Sequence, residues 1–172
     1  MKIYERVIPG IAKEIVKVLV ENKDIELEIG LELEAQRDFE AILKEYTRTE
    51  KELADYANDI VIARGWPRAK YSEARRLAAA SRKVPLDDDA VDYVINQMLE
   101  FMLISANIGE VYAEDHTMRK RIVTVLRRYL KMDEELDLAV RGRLRHLQEG
   151  TRDWEISYKK NMEEMRRIKG LT

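Results

Sequence analysis

The chain has 172 residues, of which 37% are charged, and a formal net charge of −2 at pH 7. This length suits one sizeable core or two small ones, and the near-neutral balance favours neither nucleic acid nor membranes as a bulk partner. The absence of cysteine excludes disulfides, thiolate metal ligands and thiol nucleophiles. Only seven glycines and three prolines are present, which is typical of a helical protein.

No segment has the features of a membrane span or an export signal. No window approaches about 18 uncharged apolar residues, the length that a spanning helix needs. The first ten residues also lack the cationic and then apolar order of a signal peptide. We therefore expect a soluble, cytoplasmic protein without a membrane partner.

The first helix and the connector after it are predicted from the pattern of apolar residues. Pro9-Gly10 opens the helix, because proline suits a first turn, and the apolar stripe ends near Asn22. The connector Asp24–Glu28 alternates polar and apolar residues as a strand would, but it is short and isolated. We therefore expect extended chain there, with Ile25 inserted into the core.

Two further helices are predicted before residue 66. The first covers about Gly30 to Arg48, with its apolar residues along one side. Thr49-x-x-Glu52 then has the sequence of a capping box, in which two side chains satisfy backbone N–H groups at a helix start. A separate helix should therefore begin at Thr49 and stop at Gly65.

Residues 66–86 predict a short basic linker helix that also carries aromatic residues. Trp66-Pro67 interrupts the preceding helix, Ser72 is placed to cap the next one, and Pro85 ends it.

Four more helices are predicted after this linker, each behind a residue type favoured at helix starts. They are Ala90–Ala106 behind Asp87–Asp89, a helix opened by Asp115 or Thr117, a helix opened by Asp133 and terminated by Gly150, and Trp154–Ile168 behind Thr151.

The apolar positions of the first half recur in the second, with position n corresponding to position n+83, which suggests an internal repeat. The matching pairs are Ile8 and Val91, Ile11 and Val94, Ile15 and Met98, Leu19 and Met102, Ile25 and Ile108, Phe39 and Ile122, Ile42 and Val125, and Tyr46 and Tyr129. The charges do not recur, since Glu45 corresponds to Arg128 and Gln36 to Arg119. The repeat therefore predicts a shared scaffold with one acidic and one basic copy.

No catalytic constellation is found. The only histidines are His116 and His146, and neither lies in a metal-binding motif of the usual spacing. The seven glycines form no phosphate-binding loop and no nucleophile elbow. We expect a protein that is not an enzyme, with no catalytic residues, no cofactor, no metal and no small-molecule ligand.

The clearest functional pattern is a set of cations next to aromatic residues. Aromatic rings that stack on bases, beside cations that meet phosphates, are typical of single-strand nucleic-acid binding, although packing of the aromatics under solvated cations is the stronger interpretation. The candidate contacts to nucleic acid or to a protein partner are Arg64, Trp66, Arg68, Tyr71, Arg75 and Arg76 of the basic segment 64–83, and Arg119, Arg127 and Arg128 of the basic segment 119–131.

Several stretches of the chain resemble one protein family over essentially the whole length. They are Val7-Ile8-Pro9-Gly10-Ile11-Ala12-Lys13-Glu14-Ile15, Val125-Leu126-Arg127-Arg128-Tyr129, Asp133-Glu134-Glu135-Leu136-Asp137, and Leu147-Gln148-Glu149-Gly150-Thr151 followed by Trp154-Glu155. They are similar to the domain of unknown function 507 family in its longer, two-copy bacterial form. The resemblance implies an uncharacterised bacterial cytoplasmic helical protein and carries over no functional residues.

Together these patterns predict an all-α fold of about eight helices. We expect two tandem, similar modules packed on each other, residues 1–65 and 87–172, joined by the linker helix at 66–86. The leading function is a non-enzymatic protein-protein interaction or adaptor module, with another protein or a second copy of the chain as its partner. The alternative is a nucleic-acid-associated protein that uses the two basic segments.

Overall fold

The structure, a computed structural model, describes residues 3–168 and is mainly helical, as predicted. Within these residues it contains six α-helices, two short strands and two 3-10 turns. The elements are α1 (Ile8–Glu21), β1 (Ile25–Leu27), α2 (Glu32–Ala63), α3 (Tyr71–Arg82), α4 (Asp87–Met102), β2 (Ile108–Val111), α5 (Asp115–Arg143) and α6 (Arg152–Ile168), with 3-10 turns at Glu5–Val7 and Arg68–Lys70. None of these helices is both long and apolar enough to cross a bilayer.

Helices α1 and α6 begin at Ile8 and Arg152, close to their predicted starts. Pro9 lies in the first turn of α1, and this helix ends at Glu21, next to the predicted Asn22. Thr151 precedes α6, and its side-chain oxygen accepts a hydrogen bond from the backbone N–H of Trp154 at 3.3 Å. This is the geometry of a helix N-cap, so the predicted cap is confirmed.

The predicted break at Thr49 is wrong, because α2 is one helix of 32 residues. The Thr49 hydroxyl donates to the carbonyl of Glu45 at 3.1 Å, one turn earlier in the same helix. The buried positions of α2 continue through this point, from Tyr46 to Leu53, at helical spacing. Burial along one uninterrupted face thus outweighs the local capping signal.

The predicted helix start at Asp133 is also wrong. Asp133 lies inside α5, is buried, and pairs with Arg166 of α6 at 3.3 Å. Gly150 has a φ of +87° but lies well beyond Arg143, where α5 ends, so it shapes the turn rather than terminating the helix. Two pairs of predicted helices are therefore continuous, and the expected eight helices become six.

The predicted linker helix exists as α3, although its proposed cap is wrong. The helix begins at Tyr71 behind Lys70, without a capping side chain, so Ser72 lies inside the first turn. Its inner face, Ala74 and Ala78, is fully buried against α2. This segment consequently forms part of a core.

The two strands form an antiparallel sheet, which the sequence prediction of unpaired extended chain missed. Ile25 faces Val111 and Glu26 faces Glu110. Ile25 is buried, as predicted. Across the strands the Tyr112 hydroxyl donates to the Glu26 carboxylate at 2.5 Å, and this hydrogen bond raises the pKa of Tyr112 above its ordinary value.

Two compact units, residues 1–125 and 126–172, replace the expected tandem modules. The first unit contains α1 to α4, both strands and the first part of α5. Its fully buried side chains include Ile8, Ile11, Ile15, Phe39 and Leu43. The second unit contains the rest of α5 and α6, which pack around Leu136, Val140, Leu144 and Met162. The division differs from the predicted one because residues from the first half of the sequence contact residues from the second half within the first unit.

Arg121 of α5 makes one set of contacts between the two halves of the sequence. Its guanidinium forms an ion pair with the buried carboxylate of Asp24 at 2.5 Å and donates to the side-chain oxygen of Asn22 at 2.8 Å. The backbone carbonyl of Asp24 accepts hydrogen bonds from the N–H groups of Tyr112 and Ala113. The loop after α1 is therefore held by residues from the second half of the sequence.

The loop after α4 is held in the corresponding way by Asp38 of α2. Its carboxylate accepts hydrogen bonds from the Ser105 hydroxyl at 3.0 Å and from the Asn107 amide at 2.7 Å. The n+83 correspondence pairs Asp38 with Arg121, and it pairs the loop residues Asn22 and Asp24 with Ser105 and Asn107. Equivalent positions of the two halves thus make reciprocal contacts.

Candidate functional site

The predicted aromatic contacts of the basic segment pack inside the first unit. Trp66 and Tyr71 are partly buried against the α2–α3 core around Leu53 and Ala57. The guanidinium of Arg64 lies 4.9 Å from the Trp66 ring centroid, and the ammonium of Lys70 lies 4.8 Å from it. Two cations of the protein itself therefore already contact the Trp66 ring.

The predicted cations in and just before α3 differ in their contacts. Arg75 forms an ion pair with Glu50 of α2 at 2.7 Å, which ties the two helices together. Arg76 is exposed to solvent, and so is Arg68 in the preceding 3-10 turn. Only part of the predicted set is therefore exposed for a partner.

The predicted cations of α5 lie in two different units. Arg119, in the first unit, donates to the Asn96 side chain and lies 3.6 Å from the Asp92 carboxylate, both on α4. Arg127 and Arg128 belong to the second unit and are exposed, and Arg128 lies over the Tyr129 ring at 5.5 Å. Arg119 and Arg128 therefore make these contacts within their own units.

The two histidines are exposed, and neither belongs to a group of metal ligands in the described part of the chain. His116 lies 3.1 Å from the Glu114 carboxylate at the start of α5. His146 is in the turn after α5. Among the residues of 3–168 whose side chains the structure describes, no three histidines, aspartates or glutamates are grouped so that they could hold a metal ion.

A pocket between α2 and α4 was not predicted from the sequence. It has a volume of about 320 Å³ and contains the aromatic residues Tyr46, Tyr93 and Phe101. The carboxylates Asp38 and Glu45 also line it. Sequence reasoning missed the pocket because aromatic residues at helical spacing are indistinguishable from core residues until the neighbouring helix is placed. The acidic residues of α2 were the only sequence feature that pointed to this pocket.

A second, more open groove lies where β1 leads into α2. Its lining includes Lys13 of α1, Glu28, Ile29, Glu32 and Leu33. Ile29 is fully exposed, and Leu33 is 53% exposed. The groove therefore presents two aliphatic side chains to solvent beside two carboxylates.

The residues that carry the family resemblance near the C-terminus close the α5–α6 turn. Arg141 of α5 donates to the carboxylates of Asp137, at 2.7 Å, and Glu149. These hydrogen bonds, first the one to Glu149 and then the one to Asp137, raise the pKa of Arg141 above its ordinary value. The same guanidinium lies 5.4 Å from the Trp154 ring centroid, and Trp154 stacks on Tyr158 at 4.9 Å. The Glu-Gly-Thr-x-x-Trp sequence thus has a structural role.

The comparison with protein families agrees with this resemblance. The model of the family described as "Protein of unknown function (DUF507)" matches residues 1–171. No match is found among the curated proteins. Because the family match spans nearly every residue, including both basic segments and the α5–α6 turn, the chain belongs to the DUF507 family.

Proposed function

We propose that the protein is a non-enzymatic protein-protein interaction module that uses the open groove between β1 and α2. The observation that supports this function is the solvent exposure of Ile29 and Leu33 at one site. Exposed aliphatic side chains that share a groove are a feature of interaction surfaces, whereas single ones are ordinary. Burial of these two side chains would contribute about 1.5 to 3 kcal/mol each if it were complete.

The charge beside the groove selects the partner chemistry. Glu28 and Glu32 provide two carboxylates, and Lys13 provides one ammonium group. This balance favours a protein segment with an apolar side chain flanked by lysine or arginine, because complementary charge steers association. A second copy of the chain is the less favoured occupant, since the acidic side chains would then meet each other.

A site-specific cross-link tests this proposal. A photoreactive phenylalanine analogue replaces Leu33, and a control protein carries it at Ile62, which is exposed on the last part of α2 outside the groove. Proteins that cross-link at position 33 and not at position 62 are purified, and their affinity is measured by titration calorimetry. We expect Ile29→Asp and Leu33→Asp together to weaken binding at least tenfold, and Ile62→Asp to leave it unchanged.

Equal binding of the double variant and the unmodified protein would disprove a role for the groove. A position-33 cross-link to a second copy of the chain would show instead that the groove is a homodimer contact.

Binding to nucleic acid remains the alternative proposal, through Arg68, Arg76 and Arg127, which are exposed. The contacts that Arg64 and Lys70 make with Trp66, and that Arg75 makes with Glu50, count against it. This alternative requires binding of labelled RNA or single-stranded DNA at low salt and a steep loss of affinity as salt increases. Retention of that binding in the Arg68→Ala, Arg76→Ala variant would argue for a nonspecific contact.

We also infer that the chain carries two copies of one ancestral unit and acts in the bacterial cytoplasm. The repeat of helix, strand, long helix and helix supports the first inference, because the first residues of β1 and β2, and those of α2 and α5, are related by the same n+83 correspondence. The lack of cysteine supports the second. Fluorescence microscopy of the tagged protein tests the location.

A further inference from the structure

The pocket between α2 and α4 combines three aromatic rings with two carboxylates. On α2, Asp38, Glu45 and Tyr46 are spaced so that they share one side of the helix, and α4 contributes Tyr93 and Phe101. Tyr93 is nearly half exposed, whereas Tyr46 is buried. The pocket therefore combines a buried aromatic ring of α2 with an accessible aromatic wall on α4.

The described lining of this pocket includes two carboxylates and no cationic side chain. No lysine, arginine or histidine is among the residues described as lining it. The Asp38 carboxylate accepts hydrogen bonds from Ser105 and Asn107, and both donors are neutral side chains. A cleft lined by charge of one sign attracts ligands of the opposite sign.

Glu45 has a cationic neighbour outside the pocket, and that contact leaves the carboxylate available. It accepts a hydrogen bond from Arg48 at 2.7 Å, three residues further along α2. Both side chains are more than half exposed, and exposed pairs of this kind contribute little to stability. A bound cation can therefore compete for the Glu45 carboxylate.

The acidity of the pocket distinguishes it from the corresponding positions of the other half of the sequence. Under the n+83 correspondence, Asp38 matches Arg121 and Glu45 matches Arg128. The aromatic residues have no counterpart either, since Tyr93 matches Gly10 and Phe101 matches Val18. Scaffold residues repeat, whereas the residues that give this pocket its charge and its aromatic wall do not.

We propose that this pocket binds an organic ammonium ion, a small ligand with a positively charged nitrogen and an apolar body. Aromatic faces attract such cations through their quadrupole, and the carboxylates add direct Coulomb attraction. The volume of about 320 Å³ is at the small end of the range for ligand pockets and suits a ligand of this size. This site is separate from the open groove and independent of the proposed partner.

An NMR titration of the full-length protein tests the site with two molecules of the same shape. Choline carries a trimethylammonium group, and 3,3-dimethylbutan-1-ol carries a neutral tert-butyl group in its place. We expect choline to cause saturable shifts in the ring resonances of Tyr93 and Phe101. The alcohol should bind at least about fivefold more weakly, because it lacks the charge that the rings and carboxylates attract.

Variants separate this pocket from a general surface effect. We expect Tyr93→Ala and Glu45→Gln each to weaken choline binding about three- to tenfold, with the fold of each variant checked by circular dichroism. The matched control is Asp55→Asn, an exposed acid of α2 outside the pocket, which should leave the affinity unchanged. Equal affinity for the alcohol, unchanged binding by both pocket variants, or the absence of saturable shifts would each overturn the proposal.

Discussion

The α2–α3 and α5–α6 hairpins use the same sequence positions to build different cores. Leu53 and Leu136, which the n+83 correspondence pairs, are both buried in the cores of their hairpins. Around them the first hairpin buries small side chains such as Ala79, where the second buries Met162. Small side chains let two helices approach closely, whereas large ones keep them further apart. The shared register therefore sets which faces meet, and side-chain volume sets how the helices pack.

The two hairpins also differ in the burial of an ion pair between their helices. Glu50 and Arg75 join α2 to α3, and their side chains are 17% and 30% exposed. Asp133 and Arg166 join α5 to α6, and theirs are 4% and 11% exposed. The two acids are again 83 positions apart in the sequence, but water screens the first pair more than the second.

Each hairpin contains one of the two tryptophans, so their stabilities can be followed separately. Trp66 packs against the α2–α3 core and Trp154 against the α5–α6 core. In a Trp154→Phe background the fluorescence reports on the first hairpin, and in a Trp66→Phe background it reports on the second. All three predictions below refer to urea unfolding measured in these two backgrounds.

The largest effects should come from exchanging the residues that distinguish the two cores. Met162→Ala should lower the free energy of unfolding of the second hairpin by about 3 kcal/mol, because it leaves a cavity. Ala79→Met should destabilise the first by about 2 kcal/mol, because Ala79 is buried in the α2–α3 core and a longer side chain there would overpack it. Ala80→Met, on the exposed side of α3, is the control and should change little. An unchanged free energy of unfolding in the Ala79→Met variant would show that the first hairpin has as much room between its helices as the second.

Breaking the ion pairs should give unequal losses. Asp133→Asn should cost about 3 kcal/mol, because the Arg166 charge loses the carboxylate it faces while it stays buried. Glu50→Gln should cost about 1 kcal/mol, because Arg75 is nearly a third exposed and water can replace the carboxylate. The urea midpoint of each hairpin measures the loss. Equal losses would mean that burial does not distinguish the two pairs.

The smallest effect concerns the start of the second helix in each hairpin. Thr151→Ala should lower the free energy of unfolding of the second hairpin by about 1 kcal/mol, since the N–H of Trp154 loses its capping acceptor. Arg68 is 83 positions before Thr151 and begins the 3-10 turn of the first hairpin, and neither this turn nor the helix after it has a side-chain cap. Arg68→Ala should therefore stay within about 0.5 kcal/mol of the unmodified protein. A comparable loss in both variants would contradict the capping role of Thr151.

Local sequence patterns predicted many features of the helices and few of the contacts between them. The proline at the start of α1, the Thr151 cap and the apolar face of α6 were all visible, because each depends on residues within a few positions of one another. The Thr49 capping box was equally visible but wrong, because the buried face of α2 runs through it. A local signal fails where burial against a distant element contributes more free energy.

The sequence by itself determined the helical class, the recurrence of apolar positions from n to n+83 and the family. Only the tertiary structure decided that β1 pairs with β2, that Asp24 meets Arg121, and that Asp38 meets the loop after α4. It also decided where the acidic side chains of α2 meet the aromatic wall of α4. The physical reason is that periodicity records which face of an element is buried, whereas the partner of that face lies far away in the sequence and leaves no local signal.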